Sequence, residues 1–203
     1  MMPPRELFDA SSVANGWTLR QQTLDYTGRP LLMGIINVTP DSFSDGGKFW
    51  DAEAAIKHGL ELVRQGADLL DIGGESTRPY SKPVETAEEL QRVLPVVQEL
   101  AAQTDIPLSI DTSKAAVAEA ALAAGAQVIN DVTGLEGDPE MLPLAVESGA
   151  GVCAMHMQGT PQTMQDTPQY EDVVQEIYDY LQQRRDKLAD SGITLQRICL
   201  DVG

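Results

Sequence analysis

The chain has 203 residues, 42% of them hydrophobic and 22% charged, with a formal net charge of −17 at pH 7. This length suits one domain with a sizeable core, and the negative charge disfavours nucleic acid as a partner. Because no run approaches the roughly 18 apolar residues of a membrane span and the start lacks a signal-peptide core, we expect a cytoplasmic protein without membrane contact. Cys153 and Cys199 lie in aliphatic runs and are expected to be buried thiols without a disulfide framework.

The first 30 residues are predicted to form a loose arm followed by a small hairpin. Between residues 16 and 30, apolar side chains alternate with polar ones over two short runs, as in paired antiparallel strands. The alternating residues are Trp17, Leu19, Leu24 and Tyr26. The functional domain is expected to comprise residues 31–203.

From residue 31 onward, short aliphatic runs alternate with helical patterns. The runs are nearly continuous rather than alternating, which is typical of parallel strands buried on both faces. The six predicted strands are Leu31–Ile36, Asp68–Ile72, Leu108–Ile110, Gln127–Ile129, Gly151–Met155 and Arg197–Leu200.

Five helices are predicted between these strands from capping residues, apolar spacing and terminal glycines. The first begins at Asp51 and stops at Gly66. The second begins with a capping box formed by Thr86 and Glu89. The remaining predicted helices are Lys114–Ala124 capped by Ser113, a helix from Asp138 to Gly149, and a helix from about Glu171 to Ser191.

This order of elements predicts a parallel sheet, either open and doubly wound or closed as a (β/α)8 barrel. Polar residues follow the carboxyl end of every predicted strand. They are Asn37, Asp71, Asp111, Asn130, Asp131, His156 and Asp201. In an open sheet only strands near the switch point need such residues, whereas in a barrel every strand end borders one central site. We therefore predict an α/β fold of the TIM-barrel type, with six of the usual eight strands present in this sequence.

The loops after the first two strands are predicted to bind an anion. They are longer than the 2–6 residues usual for such connections, and each carries a glycine pair whose backbone N–H groups can converge. The glycines are Gly46, Gly47, Gly73 and Gly74. Ser76, Thr77 and Arg78 add donors and positive charge. The alternative is that both are surface loops rich in turn-forming residues.

Asp111 and Asn130 indicate a flat heterocyclic ligand. A carboxylate accepts two parallel N–H bonds, and an amide can both donate and accept. We expect Asn130 to point inward and Asp131 to bond neighbouring backbone. The sequence has no Cys/His cluster for zinc, because its two histidines are His58, predicted to be solvated on a helix, and His156.

Six segments resemble the motifs of one family, the dihydropteroate synthases. In chain order they read GIINVTPDSFSDGG, DIGGESTRP, LSIDTSK, VINDVTG, MHMQGTP and ICLDVG. The resemblance extends from about Leu31 to Gly203, and the first two motifs are the most specific.

The resemblance implies a (β/α)8 barrel in folate biosynthesis. Such enzymes join 6-hydroxymethyl-7,8-dihydropterin diphosphate to p-aminobenzoate, release diphosphate with the help of Mg²⁺, and are targets of sulfonamides. It also implies that longer family members are homodimers. Two alternatives stay open: a pterin-binding methyltransferase-type domain, and a non-catalytic fragment.

The resemblance also implies roles for particular residues. Asp111, Asn130 and Asp201 would hold the pterin edge, with Val132 and Met157 lining the ring. Asn37 would help to hold Mg²⁺. The residues implied to contact the diphosphate or the aminobenzoate are Ser76, Thr77, Arg78, Phe43 and Pro79. The aspartates implied to act in catalysis are Asp111, Asp201 and Asp45.

The sequence departs from the family pattern in three respects. Tyr80 stands where a glycine is usual, and Val202 stands where a proline is usual. The lysine of the family's seventh strand and the arginine and histidine of its eighth have no counterpart among the residues up to Gly203. We therefore expect the chain as given to be a truncated synthase that is inactive and poorly folded.

Overall fold

The computed structural model describes residues 15–39, 48–76, 83–161, 163–164 and 166–203, with the backbone alone for residues 48–51. An antiparallel hairpin comes first, and a six-stranded parallel sheet follows with a helix in each connection. Within these residues no helix is long and apolar enough to span a membrane.

The elements lie close to their predicted positions. The hairpin strands are β1, Gly16–Thr18, and β2, Thr23–Asp25. The strands of the parallel sheet are β3, Met33–Asn37; β4, Leu69–Gly73; β5, Leu108–Asp111; β6, Val128–Asp131; β7, Gly151–Met155; and β8, Ile198–Asp201. The helices are α1, Lys48–Arg64; α2, Thr86–Gln103; α3, Ala115–Ala124; α4, Met141–Ser148; and α5, Val173–Asp190. All six predicted strands are therefore confirmed, with start points that differ by two residues or fewer.

The sheet follows the chain in the order β3-β4-β5-β6-β7-β8, and every neighbouring pair is parallel. This is the strand order of the first six units of a (β/α)8 barrel, which confirms the predicted fold class. Within the described residues the sheet is not closed, since β3 and β8 each pair on one side only. Residues of both edge strands nevertheless line one cavity of about 500 Å³. The open edge leaves Ile35, on the inner face of β3, 49% exposed.

The main core lies between the outer face of the sheet and the helices. Ile36, Ile72 and Ile110 project from the strands into this layer and are fully buried. Helix α1 approaches the sheet closely at Gly59, where an added Cβ would lie 2.8 Å from Ile36 and 3.0 Å from Leu100. Tight packing of this kind explains why a glycine stands in the middle of a long helix.

The hairpin covers the amino-terminal end of the sheet, and its prediction is confirmed. Trp17 pairs with Leu24 across the hairpin, and its indole N–H donates to the carbonyl oxygen of Arg197 at 3.0 Å. Beneath it lies a second apolar cluster that includes Cys153. Cys153 is buried, as predicted, whereas Cys199, opposite it in register on β8, is half-buried; both thiols are free.

Two predicted helix caps are wrong at the second and third helices. Helix α2 is preceded by Glu85 without a side-chain capping bond, so Thr86 and Glu89 form no capping box. Helix α3 is preceded by Lys114 rather than Ser113. The first amide of α3 is satisfied from elsewhere, because Asp138 accepts a hydrogen bond from the N–H of Ala115 at 2.9 Å.

Other helix starts also differ from the prediction. Asp51 lies inside α1, three residues after its first residue. The Asp138-Pro139 pair belongs to a turn, and α4 starts only at Met141. The predicted end of α4 at Gly149 is confirmed by its left-handed backbone, with φ of 72°. Helix α5 is capped by Asp172, whose carboxylate accepts from the N–H of Gln175.

The Glu89 carboxylate joins three segments of the barrel instead of capping a helix. Glu89 is fully buried; it accepts a hydrogen bond from the Thr112 hydroxyl at 2.7 Å and forms an ion pair with Lys114 at 2.5 Å. Lys114 also pairs with Glu75 in the loop after β4. Arg92 of α2 donates a hydrogen bond to the carbonyl oxygen of Gly74, in the same loop, at 2.7 Å. Helix α2 thus ties the β4 and β5 loops together.

The first prediction concerns this buried ion pair. Lys114→Met would leave the Glu89 carboxylate buried without its cation, so we expect the free energy of unfolding to fall by about 3–5 kcal/mol. A urea denaturation curve measures the loss. Arg64→Met is the matched control, because Arg64 pairs with Glu61 on the surface and is 76% exposed; a pair of this kind contributes about 0–1 kcal/mol. Equal losses for the two variants would contradict the structural role of the network.

Candidate functional site

The register of the strands gathers the predicted polar residues at one end of the sheet. Gly73, Asp111 and Asn130 are neighbours in register across β4, β5 and β6. Adjacent strands lie about 4.8 Å apart, so these residues form one row. Asp111 is the last residue of β5 and Asn130 is the last but one of β6, so neither lies in the loop beyond its strand. Asp71 lies two residues before Gly73, on the same face of β4.

A hydrogen bond connects the two inner polar residues. The Asn130 amide donates from Nδ2 to Oδ2 of Asp71 at 2.9 Å, crossing from β6 to β4. Asp71 is 4% exposed, and burial raises the pKa of its carboxyl, while the Ser109 hydroxyl and the Asn130 N–H oppose that rise. The predicted inward orientation of Asn130 is therefore confirmed.

Asp111 lies in a strongly acidic environment. Burial raises the pKa of its carboxyl well above its usual range, and four neighbouring carboxylates raise it further. Those neighbours are Asp71, Asp131, Glu89 and Glu75. Space for the Asp111 side chain exists because Gly73 has none: an added Cβ there would lie 3.3 Å from Oδ2 of Asp111. A cationic or N–H-rich ligand would relieve this accumulation of negative charge.

Asp131 organises the loop that follows β6, as predicted. Its carboxylate accepts from the backbone N–H of Thr133 at 2.8 Å, from the Thr133 hydroxyl at 2.7 Å and from the N–H of Leu135 at 3.2 Å. These bonds hold a tight turn in which Leu135 has a φ of 65°. Val132, one of the predicted ring-lining residues, is half-buried at the start of this turn.

The remaining described candidates lie at neighbouring strand ends. Asp201 closes β8, with an exposed side chain that accepts from the N–H of Gly203 at 3.0 Å. Asn37 closes β3 and is exposed, while Met157 and Ser76 are half-buried in the loops after β7 and β4. The structure therefore brings Asp111 and Asn130 together and places the others around the same end of the sheet.

His156 is the exception among the predicted strand-end residues. Its buried ring packs edge-on against Tyr180 with centroids 5.0 Å apart, and it lies 6.1 Å from Tyr170. Its backbone N–H donates to the Asp201 carbonyl. The side chain therefore belongs to an aromatic cluster beside α5. His58 is exposed on α1, as predicted.

Several predicted residues lie outside the described part of the chain. They are Phe43, Asp45, Gly46, Gly47, Thr77, Arg78, Pro79 and Tyr80. Among the residues that are described, no group of three or more His, Cys, Asp or Glu side chains could hold a metal ion.

Sequence reasoning missed two features of the site. It placed Asp71 at a strand end without assigning it a partner, although its spacing of two from Gly73 already puts both on the inner face. It also assigned Glu89 to a helix cap, because the contacts of Glu89 with Thr112 and Lys114 are distant in sequence and leave no local signal.

The comparisons with known proteins agree with this geometry. The family model for pterin binding enzymes matches residues 33–203, which contain the whole parallel sheet and every helix of the described fold. The chain therefore belongs to the pterin binding enzyme family.

Within that family, several proteins similar to this chain are dihydropteroate synthases. The chain is 43% identical to the Synechocystis enzyme over 183 residues, 90% of this chain and 63% of that protein. The structure of the Xanthomonas albilineans enzyme with 4-aminobenzoic acid superposes with a TM-score of 0.85 at 46% identity, covering 94% of this chain and 67% of that one. The Burkholderia cenocepacia enzyme with 7,8-dihydropteroate gives 0.80 at 44% identity, covering 93% and 63%. The chain thus spans a little under two thirds of the length of the curated relative.

The second prediction concerns the charge on Asp111. The folded protein holds this proton more tightly than the unfolded chain, so stability is lost as pH rises from the ordinary carboxyl pKa of 3.8 through the raised folded value. Asp111→Asn removes this penalty and should raise Tm at pH 7 by a few degrees, with about 2–4 °C for each kcal/mol gained.

Calorimetry of both proteins between pH 4 and pH 8 measures the effect. The advantage of Asp111→Asn should shrink as the pH falls towards 4, where wild-type Asp111 becomes protonated. Asp201→Asn is the control, since its side chain is exposed and its Tm should stay close to wild type. A lower Tm for Asp111→Asn at pH 7 would show that burial does not strain this carboxylate.

Proposed function

We propose that this chain is part of a dihydropteroate synthase, which condenses 6-hydroxymethyl-7,8-dihydropterin diphosphate with p-aminobenzoate to give 7,8-dihydropteroate and diphosphate. The observation that carries the proposal is the row of Gly73, Asp111 and Asn130 at the mouth of a barrel-type sheet, with Asp71 bonded to Asn130. Family membership and the synthase relatives support it.

The row suits the edge of a pterin ring. The ring presents an amino group and ring N–H groups beside acceptor positions, and a carboxylate next to an amide offers the complementary pattern. The acidic surroundings of Asp111 favour a ligand that brings N–H donors. Gly73 leaves this side of the mouth without a side chain, so a flat ring can approach the strands.

The same charges suit the reaction. Cleavage of the C–O bond to the diphosphate leaves positive charge on the pterin methylene, and the nitrogen of the aromatic amine then attacks that carbon and loses a proton. Fixed negative groups near the developing cation lower the barrier without a protein nucleophile. We assign this electrostatic role to Asp111 and Asp201, with Asp45 joining from the first loop.

The leaving diphosphate requires a counter-charge in so acidic a protein. Asn37 would offer Mg²⁺ one amide oxygen, which suits an ion that prefers hard oxygen donors and few protein ligands. The amide is exposed at the end of β3, where it is open to the mouth. Bound Mg²⁺ would neutralise charge on the departing phosphates. Ser76, Thr77 and Arg78 are proposed to bind the diphosphate or the aminobenzoate, with Phe43 and Pro79 as walls of the aminobenzoate pocket.

The third prediction tests the activity. The assay uses the whole enzyme of which this chain is proposed to be a part, because the chain as given is expected to be inactive. With both substrates and Mg²⁺ present, diphosphate release should require the aromatic amine and should fall by about 10²–10³-fold in Asp111→Asn, the loss typical of removing one preorganised electrostatic group. Asp105→Asn is the matched control, because Asp105 is exposed just before the opposite end of β5. Its turnover should equal that of the wild type, and chelation of Mg²⁺ should abolish turnover in both.

The outcomes separate the proposed function from its alternatives. Saturable pterin binding without release of diphosphate would support a non-catalytic, pterin-binding role for this chain. Transfer of a methyl group, with no use of p-aminobenzoate, would support the methyltransferase alternative. Equal turnover in wild type and Asp111→Asn would contradict the role assigned to the carboxylate row. The homodimer and the cytoplasmic location stay predictions.

A further inference from the structure

Asp71 is a buried carboxylate below the mouth of the sheet. It occupies the middle of β4, opposite Ser109 in register, and its side chain is almost completely enclosed. Oδ2 accepts the Asn130 N–H. Oδ1 and the Ser109 hydroxyl are both buried without a close hydrogen bond among the described residues, but Ser109 lies opposite Asp71 in register and its hydroxyl lowers the pKa of the Asp71 carboxyl. Burial of a carboxylate costs stability unless hydrogen bonds compensate, so a carboxylate this deeply buried is often kept for a purpose other than packing.

The hydrogen bond from Asn130 determines which way its amide faces. The oxygen and nitrogen of an asparagine amide are nearly the same size, so packing alone does not distinguish the two orientations. A carboxylate accepts hydrogen bonds and therefore selects the orientation in which nitrogen faces Asp71. One N–H and the carbonyl oxygen of Asn130 then remain for a ligand at the mouth.

The position of Asp71 also separates it from the ligand. Asn130 and Asp111 share the row above, next to Gly73, while Asp71 lies two residues earlier on β4. Asp71 can therefore act on a ligand at the mouth through Asn130, the residue to which it is hydrogen-bonded.

We propose that Asp71 is a positioning residue that fixes the Asn130 amide, and thereby sets the order of donor and acceptor presented to the pterin edge. This inference rests on the proposed function, because it assigns a pterin as the ligand. In metal sites, mutation of a residue that orients a ligand typically lowers the affinity by about 10–100-fold. We expect mutation of Asp71 to lower the affinity for the pterin by a factor in this range.

Asp71→Asn is the discriminating variant. It keeps the shape of the side chain but offers both a donor and an acceptor, so Asn130 can bond to it in either orientation. The variant also removes a buried charge, so it should be at least as stable as the wild type in urea denaturation. Weaker ligand binding in a protein of undiminished stability is a result that a purely structural role for Asp71 would not produce.

The fourth prediction is a double-mutant cycle on the intact chain, with 6-hydroxymethylpterin as the fluorescent probe. Asp71→Asn should weaken probe binding by about tenfold or more in the wild-type background. In an Asn130→Ala background the same substitution should change affinity by less than about twofold, because the group through which Asp71 acts is gone. Asn130→Ser replaces Asn130→Ala if the alanine variant does not fold.

The outcomes distinguish this inference from the proposed function. An equal loss of affinity in both backgrounds would show that Asp71 does not act through Asn130 and would overturn the inference. Unchanged affinity in Asp71→Asn would overturn it as well, while leaving pterin binding intact. If the wild-type chain shows no saturable binding of the probe, the proposed pterin site fails and the inference fails with it.

Discussion

The site depends on the register of the parallel strands. Pairing of β4, β5 and β6 places Gly73, Asp111 and Asn130 in one row, and a shift by one residue would turn Asp111 and Asn130 towards the helices. The register itself is fixed by the outer face, where Ile72, Ile110 and Ile129 are fully buried. Apolar packing on one side of the sheet therefore determines the chemistry on the other.

This coupling has a thermodynamic cost. Burial and mutual repulsion oppose ionisation of Asp111 and Asp71, so the folded chain carries strain in the place where it is expected to bind a ligand. Functional sites commonly retain groups that a stability-optimised protein would lack. The Glu89–Lys114 pair shows the contrasting case, in which a buried carboxylate has its cation beside it and joins loops instead of serving a ligand.

The sequence was sufficient to predict the strands. It also predicted that Asn130 points inward and that Asp131 bonds the neighbouring backbone. Short, continuous aliphatic runs in an α/β chain are typical of strands covered on both faces, and the alternation of side chains along a strand places neighbouring residues on opposite faces. The errors concern contacts that are distant in sequence. The first backbone N–H of helix α3 donates to the Asp138 carboxylate, and the Glu89 carboxylate accepts from the Thr112 hydroxyl in the loop after β5. A capping motif is read from neighbouring residues, so it cannot show that a side chain of another element will bond to the helix end instead. The hydrogen bond between Asp71 and Asn130 is also distant in sequence and could not be predicted for the same reason.

The contact between Trp17 and Arg197 has a consequence for the time course of folding. The two residues are 180 positions apart, so the indole cannot reach its acceptor until most of the described chain has been made. At about 5–20 residues per second, the ribosome needs about 10–40 s to add that length. During this interval the indole N–H lacks its acceptor, although other partners of the hairpin cluster, such as Leu69 and Val128, are made earlier. Docking of Trp17 on Arg197 therefore follows synthesis of the first five strands of the parallel sheet, and burial of its indole would report that event optically.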